Sequence, residues 1–285
     1  MLDRLTRPAA EVMRAARRPE TLPGHVREIA STAVTAAMWP FGMADRGLAE
    51  LRRLLAEEGD AGTPVLLIHG YGANKSNWLF LQRYLRDSGY SRINALNYNP
   101  FQADVPAIAE AATMRARDLM AHCGTDRVHL IGHSLGGLVA RYAVQISGLE
   151  GAATCVTVAS PHRGAPAAPL GFGRTAKQLR PGSPLLRRLA ASSRPLPTQF
   201  VAYYSNLDLI VPARSAMITE RAVKATNILV KDEGHLSILL SRRLSESVVN
   251  QLGAVDGRPG YGAPVAPLVA ADDGPAQVLA PAVGE

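Results

Sequence analysis

The chain has 285 residues, 47% of them hydrophobic, which is enough for one substantial core with appendages at its ends. Its formal net charge of +7 raises the question of nucleic acid binding, because clustered Lys and Arg neutralise phosphates. However, residues 163–197 alone carry seven basic and no acidic side chains, and the rest of the chain is formally neutral. A positive excess confined to one segment argues against a nucleic-acid-binding protein.

The first 60 residues predict an N-terminal helical extension. Their clearest feature is an amphipathic pattern from Val26 to Met38, with the apolar residues recurring at i, i+3, i+4 and i+7. The pattern ends at Pro40 and is shorter than the ~20 residues that cross a bilayer. We expect its apolar face to pack on the main domain, with a position in a membrane interface as the alternative.

The chain offers weak indications of its compartment. Residues 1–25 contain three acidic side chains among scattered arginines and lack the compact apolar run of a secretory signal. This favours a cytoplasmic or peripheral membrane location over secretion. Cys123 and Cys155 are too few for a disulfide framework, and we expect two reduced, buried thiols, with a single bridge as the alternative.

Residues 61–252 alternate between predicted strands and helices, as in a mostly parallel sheet covered by helices on both faces. The predicted strands are 64–68, 92–98, 127–131, 154–159, 199–204 and 227–230, and the predicted helices include 76–88, 104–121 and one ending at Ser147. The basic segment at about 163–197 interrupts this alternation and is interpreted as a cap insertion. Residues 253–285 are rich in Ala, Pro and Gly without periodicity, which predicts a disordered tail.

The strongest motif follows the predicted strand 127–131. The sequence Gly132-His133-Ser134-Leu135-Gly136 matches the nucleophile elbow G-x-S-x-G, in which a serine occupies a strained turn between a strand and a helix. Small residues are needed on both sides of that turn, and the helix start directs backbone N–H groups toward a developing oxyanion. Ser134 is therefore the predicted nucleophile. The alternative is an ordinary strand-to-helix turn.

The loop after the first buried strand reads His69-Gly70-Tyr71-Gly72. In proteins with this elbow, that loop supplies one oxyanion N–H and the residue after the nucleophile supplies the other. We therefore assign the oxyanion hole to the N–H groups of Tyr71 and Leu135. His69 is expected to brace the loop, because the catalytic base comes later in such chains.

The order Ser, acid, His along the chain identifies the other two members of a triad. His235 alone among the seven histidines lies beyond the predicted acid-bearing strand, and it would act as the general base. Asp208 follows strand 199–204 and is the predicted acid. Asp232 is the competing candidate, although it and Glu233 are interpreted as solvated loop charges.

On these motifs the chain resembles the α/β-hydrolase superfamily, particularly the bacterial lipase and esterase branch with its actinobacterial members. The resemblance covers about Thr63 to Leu252, and two further segments carry it, Ala159-Ser160-Pro161-His162-Arg163-Gly164 and Leu179-Arg180-Pro181-Gly182-Ser183. It implies an α/β-hydrolase fold and a serine hydrolase that needs no cofactor. Some relatives bind a structural calcium through carboxylates, but this sequence offers no such cluster and no metal site is predicted.

The predicted reaction is hydrolysis of carboxylic esters, especially lipid or other acyl esters, through an acyl-enzyme. Apolar cap residues are interpreted either as an acyl groove or as packing within the cap; they are Leu170, Phe172, Leu179, Leu185, Leu186 and Leu189. A thioesterase, amidase or acyltransferase would use the same triad, and a non-catalytic, membrane-associated member of the fold is a further alternative. Peripheral membrane contact would involve either the Val26 to Met38 helix or the basic cap.

Overall fold

A parallel β-sheet forms the centre of the molecule. The computed structural model describes residues 22–43, 62–261 and 277–278, and within them the sheet has seven strands in the order β2-β1-β3-β4-β5-β6-β7. The strands are β1 Val65–Ile68, β2 Ile93–Leu96, β3 Val128–His133, β4 Ala152–Val158, β5 Gln199–Tyr204, β6 Thr226–Leu229 and β7 Gln277–Val278. Every neighbouring pair is parallel. This confirms the predicted fold class, and β1 to β6 start and end within two residues of the predicted strands.

Helices cover both faces of the sheet. The helices of the described ranges are α1 Leu22–Met38, α2 Leu79–Asp87, α3 Val105–Cys123, α4 Leu135–Gln145, α5 Gly173–Gln178, α6 Pro184–Ala191, α7 Ala213–Ala216 and α8 Arg242–Val255. Side chains of β1 alternate between two buried clusters, with Leu66 and Ile68 facing α3 and α4, and Val65 and Leu67 facing α2 and α8. Both faces are therefore apolar, as parallel sheets require.

The main domain extends further toward the C-terminus than the sequence predicts. Helix α8 continues past Gly253 to Val255, and the ring of Tyr261 packs against Gly253. Asp256 accepts a hydrogen bond from Thr63 and contacts His129. The expected boundary at 252 is therefore wrong, because these side chains have partners in the core. Gln277–Val278 forms β7 beside β6, and the other residues of the predicted tail lie outside the described ranges.

Helix α1 packs in the opposite orientation to the one predicted. Val26, Ile29 and Val34 are 57%, 72% and 49% exposed, whereas Gly24 and Ser31 are buried against the domain. The physical reason is that α1 contacts a loop whose backbone N–H groups need acceptors, which an apolar face cannot supply. The remaining residues of the predicted extension, 1–21 and 44–60, lie outside the described ranges.

The segment after α1 is fixed to the loop that follows β1. Residues Trp39–Gly42 form a 3₁₀ turn, and Asn74 donates from its side chain to the Trp39 carbonyl at 2.7 Å. Asn97 donates to the Gly42 carbonyl at 2.7 Å. The N-terminal segment is thus hydrogen-bonded to the carboxyl edge of the sheet, where the candidate site lies.

The cap carries α5 and α6, and three of its arginines lie along the protein's own surface. Arg187 donates to the Gly182 carbonyl, Arg188 lies 5.6 Å from the centre of the Tyr142 ring, and Arg194 donates to the Gln145 carbonyl at 2.8 Å. Among the residues that the structure describes, no helix combines the length and hydropathy needed to cross a bilayer.

Both cysteines are free thiols in the structure. Cys155 is buried, as expected, but Cys123 at the end of α3 is partly exposed. Burial raises the pKa of the Cys155 thiol to about 12. Cys155 therefore behaves as a small apolar core residue.

Candidate active site

Ser134 occupies a strained turn at the carboxyl edge of the sheet. It lies between the last residue of β3 and the first of α4, with φ 52° and ψ −119°, a conformation that L-residues rarely adopt. A Cβ atom on Gly132 would overlap the Gly136 backbone, and one on Gly136 would overlap the backbone of Ile68. The close approach of these backbones explains why both flanking positions of the motif are glycine.

The ring of His235 is held by Asp208. Its Nδ1 lies 2.8 Å from Asp208 Oδ2, and the two side chains are 8% and 1% exposed. Because a carboxylate only accepts hydrogen bonds, Nδ1 carries the hydrogen and Nε2 is left with a lone pair. That is the tautomer that can accept a proton from a serine hydroxyl.

Asp208 is itself fixed, while the competing Asp232 is turned elsewhere. The second oxygen of Asp208 accepts from the N–H groups of Ile210 and Val211 at 2.9 and 2.8 Å. Asp232 instead accepts from the side chain of Asn206 at 3.1 Å. The arrangement therefore gives His235 the partner that the chain order favours, and it leaves Asp232 out of the site.

Glu233 is not the solvated loop charge expected from the sequence. Its residue is 9% exposed, and its carboxylate accepts from the Ser237 hydroxyl at 2.8 Å. Burial raises its pKa, against the opposing effects of the Ser237 hydroxyl and Arg27. Glu233 stabilises the loop that carries His235. The expectation of a solvated charge is therefore wrong for Glu233.

Two opposing influences act on the basicity of His235. Burial lowers its pKa, whereas the Asp208 carboxylate, the hydrogen bond to it and the charge of Glu28 raise it. The net pKa lies above the ordinary histidine value of 6.5. His235 is thus a stronger base than a free imidazole.

His133, the second residue of the elbow, braces the backbone of His235. Its Nε2 donates to the His235 carbonyl at 3.0 Å, and the two ring centres lie 4.8 Å apart. Burial, followed by the charge of His235, lowers the pKa of His133 well below its usual range, so this ring is neutral. Sequence reasoning missed this role, for which the only signal is adjacency to the nucleophile.

The predicted oxyanion donors lie beside Ser134. Leu135 is the first residue of α4, where an N–H group has no partner within the helix. Among the described residues, neither this N–H nor that of Tyr71 donates a hydrogen bond. A Cβ on Gly70 would lie 3.1 Å from the Ser134 Cβ, so the Gly70-Tyr71 loop closely approaches the serine.

His69 has a supporting position. Its ring stacks on Tyr98 with centres 4.1 Å apart, Nδ1 lies 2.9 Å from the Gly70 carbonyl, and Nε2 accepts from the Tyr98 N–H at 3.3 Å. Burial lowers its pKa to about 4. The ring is therefore neutral with both nitrogens engaged, which agrees with a bracing role.

A pocket of about 250 Å³ opens beside Ser134 and His235. Apart from these two residues and Tyr71, its walls are apolar and include Ala165, Ala168, Ala176, Leu179, Ile210 and Val211. Of the cap residues expected to form an acyl groove, Leu179 lines the pocket. Leu185, Leu186 and Leu189 are buried in the core, and Leu170 and Phe172 are 83% and 78% exposed. Small alanines therefore replace the expected leucine groove.

No cluster of three or more His, Cys, Asp or Glu side chains suited to a metal ion occurs in the described ranges. The guanidinium of Arg163, in the segment after β4, donates to the Thr219 hydroxyl at 2.6 Å. The polar groups that do face the pocket are the serine and histidine described above together with Tyr71.

This fold and elbow define a class, and sequence comparison agrees with it. The sequence model of the alpha/beta hydrolase family matches residues 65–281. The chain belongs to this family. Helix α1 lies outside the matched region.

Curated relatives are similar over part of the chain. A triacylglycerol lipase of Pseudarthrobacter phenanthrenivorans is 32% identical over 109 residues, which cover 35% of this chain and 34% of the lipase. A triacylglycerol lipase of Burkholderia plantarii is also 32% identical, over 35% of this chain and 30% of that lipase. The acetyltransferase component of an acetoin cleaving system from Pseudomonas putida is 32% identical over 32% of this chain and 24% of its own length. The chain thus matches about a third or less of these relatives.

Solved structures share the fold. The lipase BlEst2 of Bacillus licheniformis in its propeptide form superposes with a TM-score of 0.58 at 16% identity, covering 68% of this chain and 51% of that one. A monoacylglycerol lipase of Paleococcus ferrophilus gives 0.52 at 16% identity, covering 68% and 97%. At these identities the likeness concerns the fold alone.

Proposed function

We propose that the protein is a serine hydrolase that cleaves carboxylic esters by a Ser134, His235 and Asp208 triad. The observation that carries the proposal is the 2.8 Å contact between His235 Nδ1 and Asp208, on a ring that shares an apolar pocket with a strained serine. Each member lies where a strand of the sheet ends: Ser134 after β3, Asp208 after β5 and His235 after β6.

The reaction has two steps. Ser134 Oγ attacks the ester carbonyl while His235 Nε2 takes its proton, and His235 then returns the proton to the leaving alcohol. Water attacks the resulting acyl-enzyme with His235 again as the base, which releases the acid and restores the serine. The N–H groups of Tyr71 and Leu135 stabilise the negative oxygen in both steps. This chemistry needs no cofactor.

The pocket walls favour an acyl substrate. Ala165, Ala168 and Leu179 offer apolar surface, and no Asp, Glu, Lys or Arg side chain lines the described pocket. The lipase names among the relatives are in keeping with lipid or acyl esters. The acetyltransferase relative supports acyl transfer as a second candidate, since the same triad would also cleave a thioester or amide, or pass the acyl group to an acceptor other than water.

The test is covalent labelling followed by substrate profiling. A fluorophosphonate probe should modify the full chain at Ser134, and peptide mapping should find the adduct there. A series of p-nitrophenyl esters of increasing acyl length, run beside matched thioesters and amides, then identifies the preferred class. Ser134→Ala must abolish both labelling and turnover. Labelling that survives in this variant would contradict the proposal. So would thioester hydrolysis, or acyl transfer to an alcohol, that is faster than ester hydrolysis.

We also propose that the outward face of α1 contacts lipid. Its apolar side chains continue into Trp39, Phe41 and Met43, which are 42%, 74% and 58% exposed. Three of the cap arginines, Arg187, Arg188 and Arg194, in contrast lie against Gly182, Tyr142 and Gln145, which favours α1 over the basic cap. Val26→Ser with Ile29→Ser should reduce co-flotation with phospholipid vesicles, whereas the exposed control Ala36→Ser should not. Equal flotation of the parent protein, the double variant and Ala36→Ser would contradict this contact.

A further inference from the structure

The inward face of α1 is hydrogen-bonded to the loop that carries His235. Glu28 Oε1 accepts from the Leu236 N–H at 2.9 Å, and Oε2 accepts from the N–H groups of Leu236 and Ser237 at 3.1 and 2.8 Å. Leu236 is the residue next to His235, and Ser237 begins the 3₁₀ turn Ser237–Leu240. The Glu28 carboxylate therefore caps the start of the turn, directly after His235.

The loop surface is shaped to receive this side chain. A Cβ on Gly234 would overlap the Glu28 carboxylate, so only glycine leaves room for it. One turn earlier in α1, a Cβ on Gly24 would lie 2.9 Å from the Asp232 carbonyl. Arg27 donates to that same carbonyl and lies 3.6 Å from the Glu233 carboxylate. Gly24, Arg27 and Glu28, on one face of α1, thus contact the loop between Asp232 and Ser237.

We propose that Glu28 is a positioning residue for His235, which makes helix α1 part of the active site. This inference rests on the proposed function, since it assigns Glu28 a role only through the base of the triad. Three groups then fix the histidine: Asp208 holds its ring, His133 holds its carbonyl, and Glu28 holds the N–H groups that follow it. A loop residue held on only two of these sides could shift relative to Ser134, and catalysis is sensitive to such shifts.

Electrostatics support the same assignment. The charge of Glu28 acts with the hydrogen-bonded Asp208 carboxylate to raise the pKa of His235, against the lowering by burial. His133 also faces the ring, and it is neutral. Glu233 and Arg27 form an ion pair at the outer side of the loop. Removing the Glu28 charge should therefore lower the pKa of His235.

The experiment compares Glu28→Gln and Glu28→Ala with the full-length parent protein and with Thr32→Ala. Thr32 is a matched control, because its exposed hydroxyl lies on the same helix and donates only to the Glu28 carbonyl. We expect kcat on a short soluble ester to fall about 10- to 100-fold in both Glu28 variants, with KM nearly unchanged. We expect the acid limb of kcat/KM to move to lower pH in both variants. Thr32→Ala should behave as the parent.

A structural role alone would give a different pattern. If the Glu28 variants unfold at lower temperature but keep the parent's kcat and acid limb at temperatures where they are folded, the inference is overturned. The ring titration of His235, followed by NMR and assigned with His235→Ala, provides a readout that needs no turnover. A parent protein that neither labels nor hydrolyses esters would refute the proposed function, while an unshifted His235 titration in Glu28→Gln would refute the positioning role.

Discussion

Two histidine–aspartate pairs lie at opposite ends of strand β3. His129 sits near its amino end and contacts Asp256 at 3.1 Å, whereas Ser134 follows its carboxyl end, where His235 contacts Asp208 at 2.8 Å. The His129 ring also contacts a hydroxyl, that of Thr154, at 3.0 Å. The two ends of one strand therefore carry the same three chemical groups, a hydroxyl, an imidazole and a carboxylate.

The rings face their carboxylates with different nitrogens. His129 presents Nε2 to Asp256 and so accepts the Thr154 hydroxyl at Nδ1, while His235 presents Nδ1 to Asp208 and keeps Nε2 for the pocket. The side chain of His129 is fully buried and lines no part of the described pocket. A histidine can act as a general base only where a ring nitrogen without a partner lies next to a cavity, whereas an acid–histidine contact alone is a structural contact.

The surroundings also move the two histidine pKa values in opposite directions. Burial lowers the pKa of His129, and the Asp256 carboxylate only partly opposes it because Arg127 and Arg258 are close by. At His235 the acids Asp208 and Glu28 overcome burial and raise the pKa. The His129 ring therefore remains neutral and both donates and accepts a hydrogen bond within the core, whereas the His235 ring is a stronger base than a free imidazole.

The largest expected effect separates the two histidines by activity. His235→Ala should lower kcat by a factor on the order of 10⁶, as the loss of a triad member does, and leave the protein folded. The measurement is ester hydrolysis with active-site titration, alongside circular dichroism to check the fold. His129→Ala provides the comparison: it should destabilise the protein, and the molecules that remain folded should hydrolyse the ester at the parent rate. A loss of turnover as large in folded His129→Ala would break the distinction.

The next largest effect concerns the acids. Asp208→Asn should lower kcat by about 10⁴-fold, because an amide no longer selects the tautomer with a free Nε2. Asp232→Asn is the matched control, since Asp232 contacts Asn206 on the same side of the sheet. Steady-state kinetics at constant pH measures both variants. If Asp232→Asn is the damaging substitution, the acid has been assigned to the wrong residue.

The third effect concerns stability at the amino end. Asp256→Ala leaves the buried Nε2–H of His129 without an acceptor and should lower the free energy of unfolding by about 2 to 3 kcal/mol. Urea denaturation measures this change. Asp87→Ala is the control, because its side chain is 70% exposed and its pairing with Arg83 at 3.9 Å contributes little. Equal midpoints for these two variants would contradict a structural role for the His129–Asp256 pair.

The same comparison shows what a sequence can predict here. Ser134, Asp208 and His235 follow strands in a fixed order, so local patterns and chain order were sufficient to predict that they lie at the same edge of the sheet. The His129–Asp256 contact spans 127 residues and follows no motif, and it falls just past the point where composition suggested that the domain ends. The hydropathy pattern likewise predicted the wrong buried face of α1. It reflects only the apolar side chains, whereas the Leu236 and Ser237 N–H groups need the Glu28 carboxylate as acceptor.

The smallest expected effects are the pH dependences, and they should have opposite signs at the two ends of β3. The pKa of His235 is raised, so the base is protonated at a higher pH than a free imidazole, and the acid limb of kcat/KM should lie above 6.5. The contribution of protonated His235 to the free energy of unfolding is present at low pH and is lost as pH rises through its raised pKa.

His129 behaves in the reverse way. Its pKa is lowered from 6.5 in the folded protein, so the unfolded chain binds more protons below that value, and the stability from a neutral His129 is lost as pH falls. Asp256, whose pKa is also lowered, adds a second loss in the same direction once pH falls below about 3.8. Urea midpoints measured from pH 8 to pH 5 should therefore decline more steeply for the parent than for His129→Gln, which has no proton to gain. The acid limb of kcat/KM should be identical in the two proteins, because the pocket histidine is unchanged. A shift of that limb in His129→Gln would show that the two ends of the strand are coupled and that the pairs cannot be treated as independent.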